Sequence, residues 1–323
     1  MTPATQWEIW ATNEMIFPET ILFEVTNKCN SKCNMCPVPV AKRPKTDMPL
    51  ELVKKCIDDC VAFKHHVTRI LFHQNGEPLL WGVDKLVDVI NYASQRVGFS
   101  RMQHLGFFTN GSLLTEEATD KLLASDINFM AISFDGGTKE IYEHIRQGLN
   151  FDTTYRNIMY IAKRKVETGK KMFLQTLMVP QKDNWSTLQE YYSLFRGVPG
   201  IDDVGISDLC NYGGQVETDS KRIRVQYTPG NSSLPCCRLW TFLIVGSNGK
   251  PLLCCNDVEQ PYDLGDLRTQ TMQEVWQGKP FKDLREKHIH KDQKSMHLCS
   301  TCDWMNGFQA PPWWYKDGYK KIF

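Results

Sequence analysis

Six short runs rich in apolar, β-branched and aromatic residues recur along the first two thirds of the chain. They fall at approximately Ile21–Thr26, Thr68–His73, His104–Thr109, Phe129–Phe134, Met172–Val179 and Asp203–Ser207. Their length and composition predict strands, and stretches with helical periodicity lie between them. Leu50–Phe63 follows Pro49, a good helix starter, and Val83–Gln95 carries apolar residues at helical spacing. Thr115–Ala124 opens with Thr-Glu-Glu, a cap followed by acidic first-turn residues. Thr153–Glu167 and Trp185–Phe195 follow the same logic. Strands alternating with helices predict an α/β fold built on a parallel sheet. Six units are too few for a closed eight-stranded barrel and suit a partial (β/α)6 TIM-like barrel. Chemistry in such folds sits at the C-terminal ends of the strands.

Beyond residue 212 the pattern changes. Turn-rich pieces, Gly213-Gly214 and Pro229-Gly230-Asn231-Ser232-Ser233, precede a segment holding six of the twelve cysteines. The expected organisation is a core over 1–212, a small C-terminal domain over 213–302 and an aromatic tail over 303–323. No internal repeat is present.

With 323 residues and 41% hydrophobic content, the chain can bury a sizeable core. A net charge of +1 supplies no general field for polyanions, which argues against nucleic acid as a partner. Met1 to Ile21 contains no lysine or arginine and no long apolar core, so no signal peptide is visible. The apolar stretch Leu239–Val245 is far too short to span a bilayer, so no membrane partner and a cytoplasmic location are expected. In a long cytoplasmic chain, twelve clustered cysteines point to metal ligands or catalytic groups rather than disulfides.

Cys29-Asn-Ser-Lys-Cys33-Asn-Met-Cys36 has the spacing C-x3-C-x2-C, directly after the first expected strand. Three thiolates can hold three irons of a four-iron cluster and leave the fourth iron open for chemistry. A zinc site is the alternative; it prefers four ligands, and no fourth lies nearby. The loop resembles that of the radical S-adenosylmethionine (radical SAM) superfamily, and the resemblance extends over nearly the whole chain. It implies a [4Fe-4S] cluster on Cys29, Cys33 and Cys36 whose open iron chelates SAM. Met35 stands where the family often has an aromatic residue near the adenine. Gly76-Glu77-Pro78 resembles the family's Gly-Gly-Glu-Pro turn that receives the SAM ammonium, with Asn75 in place of the first glycine. Thr109-Asn110-Gly111 is similar to a family turn after the third strand. By the same resemblance Ser133 hydrogen-bonds the SAM ribose, and Arg146 is aimed at SAM or substrate unless it is a solvated helix charge. Asp135 is expected to shape the Asp-Gly turn. Gln175 is a candidate for the barrel interior.

The second set is Cys236-Cys237-Arg-Leu-Trp, then Gly249-x4-Cys254-Cys255-Asn-Asp, then Cys299-x2-Cys302. Two separated pairs are also the signature of a zinc ribbon. The arrangement resembles the SPASM extension of radical SAM enzymes in its shortened "twitch" form, which holds one auxiliary [4Fe-4S] cluster. The resemblance implies Cys236, Cys254, Cys299 and Cys302 as ligands, with Cys237 and Cys255 as adjacent alternatives. Cys56 and Cys60 lie at helical spacing with Val53 and Ile57 and are expected in the core. Cys210 falls just past the sixth strand, where a thiol can donate a hydrogen atom to a substrate radical or be an inert loop residue. His73 is a candidate to line the pocket, and His288 and His290 are expected to be solvated on a charged helix.

The resemblance implies an oxidoreductase. SAM is cleaved reductively to a 5′-deoxyadenosyl radical that takes hydrogen from a substrate, with an electron donor such as flavodoxin or ferredoxin. Two-electron oxidation of a small or sugar-like substrate is favoured, because a fully ligated second cluster can accept the electron. The core motif begins at Cys29, which leaves no room for an N-terminal leader-binding domain and favours a small substrate over a peptide. The alternatives are an epimerase using Cys210, oxidation or cross-linking of a peptide, and a non-enzymatic iron–sulfur or zinc scaffold.

Overall fold

The computed structural model describes residues 16–98, 102–207, 209–215 and 235–302. The expected tail over 303–323 and the Pro229–Ser233 turn lie outside the described residues. Among the described residues, no helix is long and apolar enough to cross a membrane.

All six expected strands form: β1 Thr20–Phe23, β2 Arg69–Leu71, β3 His104–Thr109, β4 Phe129–Ser133, β5 Phe173–Met178 and β6 Asp203–Ile206. They pair in parallel in sequence order. Two further strands, β7 Phe242–Val245 and β8 Pro251–Leu252, extend the same sheet, giving the order β6-β5-β4-β3-β2-β1-β7-β8. β7 runs parallel to β1, with Ile21 opposite Leu243 and Leu22 opposite Ile244, and β8 returns antiparallel. The sheet is an open partial barrel.

The helices are α1 Leu50–Val61, α2 Val83–Ala93, α3 Glu116–Ala124, α4 Lys139–Ile145, α5 Phe151–Thr168, α6 Leu188–Phe195, α7 Arg238–Thr241, α8 Met272–Trp276 and α9 Lys279–Ile289. Each of the longer helices turns one stripe inward. α1 buries Val53, Cys56, Ile57 and Cys60, and α2 buries Leu86, Val89, Ile90 and Ala93, the i, i+3, i+4, i+7 pattern of an amphipathic helix. Cys56 and Cys60 are therefore core residues, as expected. Thr115 caps α3 by accepting from the Ala118 N–H, and Asn150 caps α5 by accepting from the Thr153 N–H.

Strand side chains alternate between two faces. Ile21, Phe23, Ile70, Leu105 and Phe107 join the large core beneath the helices. Leu22, Leu71, Phe129, Ala131, Ile244 and Leu252 form a smaller cluster on the opposite face, with Phe108 and Leu177 against it. Gln175 is tied to the neighbouring strand, donating to the Asp203 carboxylate.

Candidate active site

The C-terminal ends of the strands surround one cavity of about 640 Å³, a size suited to a small-molecule ligand. Cys29, Met35, Gly76, Ser133, Arg146 and Cys210 all line it.

The cysteine loop is held through its backbone. Lys32 N–H donates to Gln147 C=O at 2.8 Å, Asn34 N–H to Ile145 C=O at 3.0 Å, and Cys36 N–H to Cys33 C=O at 3.1 Å. Ser31 Oγ lies 3.0 Å from Cys33 Sγ. Burial takes the Cys36 thiol to about 12, and partial desolvation raises the thiol of Cys29, an otherwise exposed residue. Thiolates at these positions are therefore costly alone and are favoured by a cationic iron cluster. Three sulfurs on one cavity wall fit such a group. No set of three or more His, Cys, Asp or Glu side chains among the described residues converges as a single-ion site.

The turn after β2 packs against the base of this loop. Gly76 has φ 143°, and a Cβ there would meet the Thr26 carbonyl oxygen at 2.5 Å and that of Lys28 at 2.7 Å, so only glycine fits. Glu77 N–H then donates to Lys28 C=O at 2.8 Å. The Glu77 carboxylate is buried and accepts from Thr109 Oγ1 at 2.7 Å, Asn110 N–H at 2.7 Å and Leu79 N–H at 3.2 Å. The Thr109-Asn110-Gly111 turn thus has a definite task, which is to fix Glu77. Burial raises the Glu77 carboxyl above the usual range, and these hydrogen bonds offset only part of that shift. A cation facing it from the cavity is correspondingly favoured. Pro78 lies outside the cavity lining, at the start of a short 3-10 helix Pro78–Trp81.

Arg146 is not a solvated helix charge. It is 8% exposed, and it donates to Asp135 Oδ2 through Nε at 2.7 Å and Nη2 at 2.5 Å. Asp135 also accepts from Val179 N–H at 2.6 Å. Its carboxylate therefore orients the arginine and ties β4 to the end of β5, beyond the local turn expected from the sequence.

The second cysteine set meets the same cavity from the other side, through Arg238, Cys255 and Asn256. Burial pushes Cys236 to about 12 and raises Cys254 and Cys299 strongly. Neighbouring sulfurs add to this: Cys255, Cys299 and Cys236 act on Cys254, and Cys236 and Cys302 act on Cys299. Buried sulfurs whose ionised forms would repel one another again fit a cationic cluster. Cys255 differs, because its sulfur accepts from the Arg238 guanidinium. The Cys237 carbonyl accepts from Trp240 N–H and Thr241 Oγ1, both at 2.9 Å, at the start of α7.

His288 departs from expectation. It is fully buried, its Nδ1 accepts from the Cys236 N–H at 3.3 Å, and burial lowers its pKa to about 4. The charged sequence of α9 concealed an inward-facing position shared with Phe281 and Leu284. His290 remains exposed. His73 does line the cavity, where its ring packs on Phe108 at 4.4 Å and burial lowers its pKa to about 3, leaving it neutral. Tyr212, with φ 50°, is a cavity residue that no sequence signal marked.

Residues 23–195 match the family model of the radical SAM superfamily, and residues 236–303 match the SPASM iron–sulfur cluster-binding domain. The chain is 27% identical to the tungsten-containing aldehyde ferredoxin oxidoreductase cofactor-modifying protein of Pyrococcus furiosus, over 58% of this chain and 51% of that protein. It is 27% identical to the mycofactocin maturase MftC of Mycobacterium tuberculosis, over 54% of this chain and 42% of that one. The chain thus spans about half the length of these two relatives. A longer match, 21% identical over 87% of this chain and 90% of its counterpart, is the S-adenosyl-L-methionine-dependent 2-deoxy-scyllo-inosamine dehydrogenase of Niallia circulans. The fold is similar to that of BtrN in complex with AdoMet and 2-DOIA, with a TM-score of 0.59, 20% identity and coverage of 89% and 93% of the two chains. It is also similar to Streptococcus suis SuiB bound to the precursor peptide SuiA, with a TM-score of 0.65, 14% identity and coverage of 86% and 68%. The two matched domains imply two [4Fe-4S] clusters, one that binds SAM and one auxiliary. Matched family domains at both ends of one cavity lead to one conclusion: the chain is a radical SAM superfamily enzyme with a C-terminal SPASM cluster-binding domain.

Proposed function

We propose that this enzyme catalyses the two-electron oxidation of a small, hydroxylated substrate. The observation that carries this reading is the single cavity lined by Cys29, Cys33 and Cys36 on one side and by Arg238, Cys255 and Asn256 on the other. A substrate held there lies against the first cysteine set and against Cys255 and Asn256, the chain neighbours of Cys254. The near full-length similarity to a 2-deoxy-scyllo-inosamine dehydrogenase supports a small substrate of the aminocyclitol kind.

In this reading Cys29, Cys33 and Cys36 hold the first cluster, and Cys236, Cys254, Cys299 and Cys302 hold the second. When bound, the clusters and SAM supply reductive radical generation, hydrogen abstraction from a substrate carbon and an acceptor for the remaining electron. The chain's own residues prepare the site. Glu77, fixed by Thr109 and Asn110, offers its carboxylate to the SAM ammonium. Gly76 allows that turn to approach the cysteine loop, and Pro78 stiffens it. Ser133 offers its hydroxyl to the ribose. Arg146, oriented by Asp135, presents positive charge to the cavity wall. His73, neutral because it is buried, can accept a hydrogen bond from a substrate hydroxyl. The division of labour is a SAM-binding core over 1–212 and a cluster-binding appendage over 213–302 that share one sheet. A small iron–sulfur or flavin protein supplies reducing electrons.

A second reading is favoured by one observation: Cys210 lines the same cavity, with its Sγ donating to Asn256 Oδ1 at 3.6 Å. A thiol there can return a hydrogen atom and so complete an epimerisation. Mass spectrometry of products from an aminocyclitol panel, run in H2O and D2O, separates the two. Oxidation gives a product two hydrogens lighter and survives Cys210→Ala. Epimerisation leaves the mass unchanged in H2O, adds one deuterium in D2O and is lost in that variant.

A further inference from the structure

We infer that Asn256 is a positioning residue that couples the substrate cavity to the auxiliary cluster by hydrogen-bonding the Cys302 sulfur. This rests on the reading that Cys302 is an auxiliary ligand. Asn256 is 3% exposed, yet it lines the cavity. Its Nδ2 donates to Cys302 Sγ at 3.6 Å. Its Oδ1 accepts from Cys210 Sγ at 3.6 Å and from Cys255 Sγ at 3.8 Å. The polarity of the amide is chemically consistent: a ligand sulfur can only accept, and the amide nitrogen faces it. The oxygen faces two thiols able to donate.

The surrounding loop is fixed residue by residue. Gln74 Nε2 donates to the Cys255 carbonyl at 2.9 Å, and Asn75 Nδ2 donates to the Asp257 carbonyl at 2.9 Å. Gln215 donates to the carbonyl of Asn256 itself. Asn75 is the residue that stands in place of the first glycine of the SAM-binding turn, so that departure ties the turn to the loop bearing Asn256. The backbone of the loop bearing the amide is thus held from the SAM-side turn, and the amide itself reaches Cys302. Hydrogen bonds to a cluster's sulfurs raise its reduction potential, so Asn256 sets how readily the second cluster accepts an electron.

The test uses the full chain carrying Cys29→Ala, Cys33→Ala and Cys36→Ala, so that only the second cluster remains, with its midpoint potential measured by anaerobic redox titration. Asn256→Leu, nearly isosteric but without the donor, shifts the potential to a more negative value at unchanged iron content. An unchanged potential with the second cluster fully incorporated overturns the inference. Should Asn256→Leu fail to retain the cluster, pulsed electron paramagnetic resonance on the parent protein decides, using asparagine labelled with 15N at the side-chain amide. A 15N coupling on the reduced cluster supports the contact, and no coupling overturns it. Retention of the second cluster in Cys302→Ala would instead bring down the ligand assignment itself, an outcome distinct from an unchanged potential.

Discussion

Glu77 and Arg146 show how single side chains carry the site's electrostatics. Each is buried, and each is held by contacts from residues distant in sequence. Asp135→Ala strands the Arg146 charge in the interior, which costs about 3–5 kcal/mol and should appear as a clear fall in melting temperature. Glu77 titrates above the ordinary glutamate value of 4.5 because it is buried. The folded chain therefore binds that proton more tightly than the unfolded chain. The associated stability is complete below pH 4.5 and is lost as pH rises through the raised value. Thermal melts without SAM should show Glu77→Gln gaining on the parent as pH rises through that window. The same variant should bind SAM at least tenfold more weakly, since a hydrogen bond to a charged group is worth about 1.5–3 kcal/mol. Ser133→Ala removes one neutral hydrogen bond, about 1 kcal/mol, and should weaken SAM binding several-fold in equilibrium titration. At this scale local spacing made legible which residues meet at the cavity, as with the cysteine loop and the Gly76-Glu77 turn. Asp135, His288 and Asn256 were not legible in their roles, because their partners lie 11, 52 and 46 residues away.

The elements were legible for the same reason in reverse. Strands β1 to β6 and the longer helices announce themselves by periodicity and caps. The seven-residue helix α4 is too short to show a full apolar stripe. The apolar stretch Leu239–Val245 is interrupted at Trp240-Thr241 in the sequence, and there a helical turn ends at Thr241 and β7 begins at Phe242. Its β-branched and aromatic residues complete the sheet at β1, a pairing between segments more than two hundred residues apart that no local pattern encodes. The consequence is testable. A chain truncated after residue 212 leaves β1 as an open edge with Leu22 and its neighbours uncovered. Such a truncation should aggregate or lose cooperative melting, whereas a compact, cooperatively melting monomer would show that β7 is dispensable to the core.

For the whole molecule, the first cysteine set and the edge of the second, through Cys255 and Asn256, line one cavity. Reconstituted protein should carry two four-iron clusters, and replacing Cys29, Cys33 and Cys36 by alanine should leave one, as read by iron and sulfide analysis. Stoichiometric zinc at the C-terminal set in anaerobically prepared protein would contradict the auxiliary ligand assignment. Family membership was readable from spacing, but the choice of substrate depends on which side chains converge at the strand ends, and that convergence is a property of the folded sheet. The most direct test of the account is the fate of SAM. Anaerobic protein with both clusters, given SAM and a strong reductant, should release 5′-deoxyadenosine and methionine in equal amounts, and the Cys29, Cys33 and Cys36 alanine variants should release neither. Methylthioadenosine or S-adenosylhomocysteine as the main product, with no 5′-deoxyadenosine from fully loaded protein, would contradict it.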